Sequence, residues 1–177
     1  KSIESQVDIK KYENIIILSS ITDPKKCAEH RTYSNLLNIV GTKNLINLCL
    51  NYNKKIIFFS SDYVFDGNKG SYNEEDEPNP INLYGEQKLE IENYIKKNSL
   101  NYTILRIAKT FFNDLVTPCF LKNIFQEVNS NQHEINCIEK QFFTPICVDD
   151  ISDLIRIIIN KKIPLLHVAG PKKVSRE

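Results

Sequence analysis

Two short apolar runs, dense in β-branched residues and separated by a segment of helical period, constrain this chain more than anything else in it. Tyr12 to Ser20 contains Ile15-Ile16-Ile17-Leu18, and Lys55 to Ser60 contains Ile56-Ile57-Phe58-Phe59. Apolar runs of this length without polar alternation mark strands covered on both faces, which is the situation inside a parallel sheet. Between them, Ser34 to Asn51 carries Leu37, Val40, Leu45, Ile46, Leu48 and Cys49 near helical spacing, an amphipathic helix. A polar stretch from Asp62 to Asn82, punctuated by Gly67, Gly70, Pro78 and Pro80, reads as a structured loop. A helix from about Leu83 to Asn98 and a strand from Tyr102 to Ile107 follow. Strand and helix in alternation require right-handed crossovers, so the fold class is α/β with a doubly wound parallel sheet.

Further along, Thr117-Pro118 has the form of an N-cap followed by proline at the first helical position, opening a helix to about Val128. Ile135 to Ile138 is a short strand candidate. Asp149 and Asp150 precede the apolar series Ile151, Leu154, Ile155 and Ile158, a helix start with acidic groups at its positive end. Leu165 to Ala169 reads as a last strand, and Ser175 as the cap of a helix that the chain end cuts off.

Composition excludes several function classes. The 177 residues can bury a core without disulfides or metal. Lys and Arg number 23 against 22 Asp and Glu, interspersed along the chain, so there is no basic stripe for a nucleic acid. No apolar run approaches the roughly 18 residues that span a bilayer, and no export signal opens the chain. Cys27, Cys49, Cys119, Cys137 and Cys147 form no C-x-x-C pair and have no histidine at ligand spacing, which argues against a disulfide framework or a metal site and for the reducing cytoplasm. With no methionine, even at position 1, the sequence reads as a piece of a longer chain or as one from which methionines have been left out.

Chemistry concentrates at two places. Tyr84 and Lys88 lie four residues apart on the second helix and share a face, so an ammonium can sit near a phenol, favour the phenolate and lower its pKa. Taken by itself, Y-x-x-x-K is more often a surface coincidence than a catalytic pair. Ser60 and Ser61 fall at the carboxyl end of a strand, where open parallel sheets bind ligands, although serines ending a strand are also ordinary turn formers. Consecutive elements of an alternating fold can bring these two places to one crevice.

At these residues, Ser60-Ser61-Asp62-Tyr63-Val64-Phe65-Asp66-Gly67 and the run from Tyr72 to Glu92 containing Tyr84-Gly85-Glu86-Gln87-Lys88 resemble the extended short-chain dehydrogenase/reductases, in the dTDP-4-dehydrorhamnose reductase branch. That branch includes the regulatory subunit of methionine adenosyltransferase. Asn38-Ile39-Val40-Gly41-Thr42, His167-Val168-Ala169-Gly170-Pro171 and Ser175-Arg176 extend the resemblance over nearly the whole chain. It implies a partial Rossmann-like NAD(P)-binding domain over residues 1–112 and part of a substrate-binding region over 113–177. It also implies NADPH or NADH as cofactor, a nucleotide-sugar substrate, and a homodimer as the oligomer to look for. Tyr84 would donate a proton to the sugar keto oxygen, Lys88 would lower its pKa and hold the nicotinamide ribose, and Ser61 would bond the same oxygen. Ser19, Ser20, Asn38 and Ser60 would join Tyr84 and Lys88 at the cofactor, Asn38 helping to order a relay water. Asp62, Val64, Phe65, Asp66 and Arg106 would line the substrate, with a structural ion pair as the alternative for Arg106.

The departures from the family pattern carry expectations of their own. Gly41, Gly67, Gly70, Gly85 and Gly170 form no glycine-rich cofactor turn. Tyr12 to Ser20 resembles the fourth strand of the fold, so the elements before it and strong dinucleotide binding are expected to lie outside this sequence. Ser19 and Ser20 stand where alanines are usual, Lys109 where an aromatic often follows Leu-Arg, and Phe143 where glycine is usual. The reading favoured is a reductase of a nucleotide-linked 4-keto-6-deoxy sugar, in cell-surface polysaccharide synthesis. An epimerase or dehydratase, and a non-catalytic regulatory subunit, are the alternatives.

Overall fold

The computed structural model describes residues 8–114 and 141–175, together with Val116, Thr117, Cys119, Lys122, Gln126 and Asn129. In chain order its strands are β1 (Asn14–Ile17), β2 (Lys55–Ser61), β3 (Tyr102–Ile107), β4 (Thr110–Phe111), β5 (Phe142–Phe143), β6 (Ile146–Cys147), β7 (Leu165–Val168) and β8 (Val174–Ser175). Its helices are α1 (Pro24–Glu29), α2 (Arg31–Asn35), α3 (Thr42–Asn51), α4 (Leu83–Asn98) and α5 (Val148–Ile158). Two compact units result, one of Lys1–Arg106 with Lys162–His167, the other of Ile107–Lys161 with Val168–Glu177.

The first unit is built on a sheet of order β1-β2-β3-β7. β1 and β2 run parallel in register from Asn14 opposite Lys55 to Ile17 opposite Phe58. Ile56 and Phe58, two apart on β2, share one face of the sheet. They pack with Ile17, Ile46, Leu48, Cys49, Ile91, Ile95 and Ile104, so α3 and α4 cover that face. The flanked parallel sheet is Rossmann-like, as the strand–helix alternation implies. β2 is buried almost throughout, as its composition predicts. β1, outermost in the described sheet, buries Ile17 and leaves Ile16 and the following Leu18 partly exposed.

The helix expected over Ser34 to Asn51 is interrupted by a π-helical turn, Leu36–Gly41, between α2 and α3. α1 is an addition, opened by Asp23, whose side chain accepts from the Lys25 and Lys26 N–H groups ahead of Pro24 at the first helical position. α4 has the predicted bounds: Asn82 caps it by accepting from the Gly85 N–H at 2.9 Å, and Lys96 and Lys97 end it. Gly85 has a strict steric role. A Cβ there would meet Tyr63 O at 2.1 Å and Pro80 Cβ at 2.9 Å, so only glycine lets α4 approach the 3-10 turn Asp62–Val64 this closely.

Asp66 and Asp76 organise the stretch from Asp62 to Asn82. Asp66 accepts from the Asn68 N–H at 2.9 Å, the Tyr72 hydroxyl and Asn79 Nδ2 at 2.9 Å. These bonds, Tyr72 first, hold its carboxyl down to a pKa of about 2. Asp76 accepts from the Asn73 N–H at 2.8 Å and pairs with Lys69. In the second unit β4 and β6 pair in parallel and β5 and β8 antiparallel. α5 begins with Asp149 and Asp150 in its first turn, as predicted. Ser175 pairs with Phe142 as part of β8, and the residues after it lie outside the described ones. The predicted helix from Thr117-Pro118 to about Val128 falls mostly, and the Ile135 to Ile138 strand wholly, outside the described residues. Among the described residues no helix is long and apolar enough to cross a membrane.

Replacing Gly85 by Ala is expected to destabilise the first unit by about 2 kcal/mol or more, because the clash is with backbone and cannot be relieved by a side-chain rotation. Asn82→Ala should cost about 1 kcal/mol through loss of the cap. Urea unfolding of the two variants checks both the size and the order of the effects.

Candidate active site

Ser61 is the last residue of β2 and caps the 3-10 turn that follows, accepting from the Tyr63 N–H at 3.2 Å. Its hydroxyl donates to Asp62 Oδ1, 3.0 Å away, and its interaction with the neighbouring Tyr84 side chain works to lower the phenol's pKa. Tyr84 lies in the first turn of α4, where the tight Gly85 contact presses the helix against this strand tip. Lys88 follows one turn on, buried to 5% exposure. Its ammonium donates to Phe59 O at 2.7 Å and lies over the rings of Phe58 and Tyr84, 4.8 and 5.6 Å from their centroids.

The electrostatics of the pair depart from the sequence expectation. Burial pushes the Tyr84 phenol up, against the bond from Ser61, and the Asp62 carboxylate adds to the rise. The net effect on Tyr84 is a raised pKa, set by burial; Lys88 Nζ lies over the ring and bonds Phe59 O. Burial also pulls Lys88 down to a pKa of about 8, with Cys27 and Glu92 working against it. Tyr84 is thus held as the protonated phenol, a form that can act as an acid.

Lys88 Nζ has three donors, and one of them is used, on Phe59 O. A buried ammonium with two N–H groups unspent among the described residues fits the diol of a ribose, so the pocket-forming residues suit a nicotinamide cofactor at this point. Asn38 behaves otherwise. It sits in the π-helical turn with both amide donors engaged: Oδ1 accepts from the Ile21 N–H at 2.8 Å, and Nδ2 donates to Ile21 O at 3.0 Å and Gln87 Oε1 at 2.7 Å. The side chain therefore pins the backbone beyond β1, with one acceptor direction of Oδ1 still open. Ser20 donates to Ile21 O at 3.2 Å, and Ser19 is exposed at the end of the β1 edge.

The other residues singled out from sequence divide. Ser60 faces away from Ser61 and donates to the buried Glu92 at 2.6 Å. Arg106 is committed to the same carboxylate through Nε and Nη2, at 3.0 and 2.8 Å, which is the ion-pair alternative. Val64 is fully buried and Phe65 is 8% exposed, stacked on Tyr72, so neither side chain is presented to a ligand in this arrangement. Asp62 is exposed beside Ser61, and Asp66 holds its own loop. Ser61, Tyr84 and Lys88 are brought together, Asn38 joins them through Gln87, and Ser60 and Arg106 form a separate buried cluster. No group of three or more His, Cys, Asp or Glu side chains suited to a metal occurs among the described residues.

Gln87 and Glu92 are the residues that sequence reasoning passed over. Gln87 accepts from Asn38 and donates to Ser34 Oγ at 3.0 Å and Asn35 Oδ1 at 2.7 Å, tying α4 to α2 and to the π-helical turn. Cys27 is also close, donating from its buried thiol to Ile21 O at 3.3 Å. A signal was present: the buried stripe of α4 runs through Tyr84, Gln87, Lys88, Ile91, Glu92 and Ile95, so its polar members occupy core-facing positions.

Comparison with known proteins gives this geometry a setting. The RmlD substrate binding domain family matches residues 1–177. Methionine adenosyltransferase 2 subunit beta of Bos taurus is 31% identical over 140 residues, covering 78% of this chain and 42% of that protein. A dTDP-4-dehydrorhamnose reductase of Sinorhizobium fredii is 30% identical over 170 residues, covering 91% of this chain and 56% of that one. A solved dTDP-4-dehydrorhamnose reductase from Bacillus anthracis, in complex with NADP, superposes with a TM-score of 0.82 at 25% identity, over 92% of this chain and 58% of that one. The chain thus spans about half the length of the curated relatives it matches.

Lys88→Met should raise stability at neutral pH by an amount on the order of 3 kcal/mol at most, since it removes the cost of burying a charge. The sign follows from the lowered pKa. Between about 8 and the ordinary 10.5 the unfolded chain binds a proton that the folded chain does not, so the wild type gains stability as pH rises through that window. The gap between variant and wild type is therefore largest below pH 8 and closes towards 10.5. Thermal unfolding across this range tests it, and a gap independent of pH would contradict it.

Proposed function

Because the chain belongs to the RmlD substrate binding domain family, we propose that it is part of an NAD(P)H-dependent reductase of a nucleotide-linked 4-keto-6-deoxy sugar, of the dTDP-4-dehydrorhamnose reductase type. The observation that carries this reading is the association of Ser61, Tyr84 and the buried Lys88 at one strand tip. The buried amine with donors to spare beside the phenol supports this reading.

NADPH or NADH supplies the hydride when bound. The chain's own residues do the rest. Tyr84 donates its phenolic proton to the keto oxygen, which becomes the product hydroxyl. Ser61, already in hydrogen-bond contact with Tyr84, holds the same oxygen. Lys88 holds the ribose with its two unspent donors, and its positive charge stabilises the phenolate that Tyr84 becomes. Asn38 and Gln87 keep the backbone at Ile21 in place beside them. A nucleotide sugar as substrate, a cytoplasmic setting in cell-surface polysaccharide synthesis and a homodimer belong to the same reading. The identity to methionine adenosyltransferase 2 subunit beta supports a second one, in which the whole protein is a non-catalytic subunit of another enzyme.

The full-length protein is expected to oxidise NADPH or NADH in the presence of a dTDP- or UDP-4-keto-6-deoxyhexose, followed by loss of nicotinamide absorbance. Tyr84→Phe should lower kcat by about 10²- to 10⁴-fold while leaving NADPH binding unchanged. Full turnover in that variant would overturn the assignment of the acid. A wild-type protein inert towards every sugar nucleotide, yet able to alter the kinetics of a methionine adenosyltransferase, would carry the second reading.

A further inference from the structure

Beneath the strand tips lies a second polar cluster that the acid–base chemistry does not use. Glu92, fully buried on α4 one turn beyond Lys88, accepts from Ser60 Oγ at 2.6 Å and from Arg106 Nε and Nη2 at 3.0 and 2.8 Å. Lys96 approaches its other oxygen at 3.4 Å from the helix end. The Arg106 guanidinium continues outward. Its Nη1 lies 3.4 Å from His167 Nε2, and its Cζ is 5.0 Å from the centroid of the Phe65 ring. Phe65 stacks in turn on Tyr72, centroids 4.2 Å apart and nearly parallel, and the Tyr72 hydroxyl donates to Asp66.

His167 holds the same loop from a second direction. Its backbone N–H donates to Glu74 Oε1 at 2.7 Å, its ring packs edge-on to Phe65, and its Nδ1 is 3.2 Å from Tyr72 O. A carbonyl can only accept, so Nδ1 carries the hydrogen, and in the neutral ring Nε2 is left as the acceptor for Arg106. One tautomer satisfies both contacts. Burying an arginine and a glutamate costs desolvation that their attraction only partly offsets, and an apolar pair would serve stability as well. What an apolar pair could not do is reach from α4 through β3 and β7 to the loop with directional bonds at each step.

We propose that Arg106 and His167, anchored on Glu92, are positioning residues that fix the 65–76 loop in the shape in which it meets the sugar-nucleotide substrate. This rests on the reductase reading for the identity of the ligand; the tether itself rests on the contacts above. Arg106 acts through Phe65 and Tyr72 without touching substrate, in place of the direct contact expected from the sequence.

The test uses the full-length protein with Arg106→Lys, which keeps the charge but loses the fork, and His167→Ala, which leaves the Glu92 pair intact so that folding is not in question. Hydrogen exchange read by mass spectrometry should show loop amides 65–76 exchanging about tenfold faster or more, with α4 unchanged. KM for the sugar nucleotide should rise about tenfold with kcat and the KM for NADPH nearly constant. A purely structural role would lower the unfolding temperature and leave that KM alone. Unchanged loop exchange in His167→Ala, or a loosened loop with an unchanged sugar-nucleotide KM, overturns the proposal. Failure of the reductase reading shows differently, as wild-type protein without turnover, and loop exchange alone then decides the tether.

Discussion

Four polar side chains, Tyr84, Gln87, Lys88 and Glu92, occupy the core-facing side of α4, and the architecture of the first unit depends on how they are satisfied. Three find partners on consecutive residues of β2, Lys88 on Phe59 O, Glu92 on Ser60 and Tyr84 on Ser61; Glu92 also pairs with Arg106 of β3, and Gln87 bonds Ser34, Asn35 and Asn38. Buried polar groups left without partners are costly, so every one of these bonds is a condition on where the helix can sit. Isoleucines at 91 and 95 would tolerate a slide along the sheet, but the polar set does not. Hydrophobic burial holds α4 on the sheet, and the polar contacts fix its register and rotation.

That division explains why the acid–base residues can be trusted to meet. Ser61 and Tyr84 stand 23 residues apart in sequence, with a long polar loop between them. Gly85 lets the helix start come against Tyr63, and Asn82 stops the helix one turn short of running into the loop. The loop is closed on itself by Asp66 and Asp76. The entropy of ordering it is therefore met by local bonds, and its conformation does not depend on the ligand for these contacts.

The sequence announces the parts of this that follow from period and motif. Strand β2, the bounds of α4, strand β3 and the acidic start of α5 are readable because apolar period and capping residues agree there. Ser61, Tyr84 and Lys88 are readable as a motif. Other features are not readable, for specific reasons. A π-helical turn has no sequence signature against the 3.6 period, so Ser34 to Asn51 reads as one helix. α1 could have been read from Asp23-Pro24. Gln87 and Glu92 were legible only as breaches of pattern, polar residues on the same stripe as Ile91 and Ile95.

The expectation about the pKa of Tyr84 failed for a reason that bears on mechanism. Spacing along a helix places two side chains on one face, but it does not say which end of the aromatic ring the amine reaches. Here the amine lies over the ring and bonds the strand backbone, while burial disfavours both the phenolate and the ammonium. The two shifts run in opposite directions and have one cause, exclusion from water. In such a pocket the cheapest state has the phenol protonated and the amine able to give up its charge near pH 8. An acid is useful for reducing a ketone only if it holds its proton until oxygen begins to carry negative charge. In the proposed reaction that charge would develop beside Tyr84, where the same low-dielectric surroundings that raise the phenol's pKa would strengthen every donor aimed at the oxygen. Under the proposed reductase reading, burial would supply a protonated acid at rest and stronger stabilisation in the transition state, and Lys88 would not need to touch the hydroxyl beforehand to share in it.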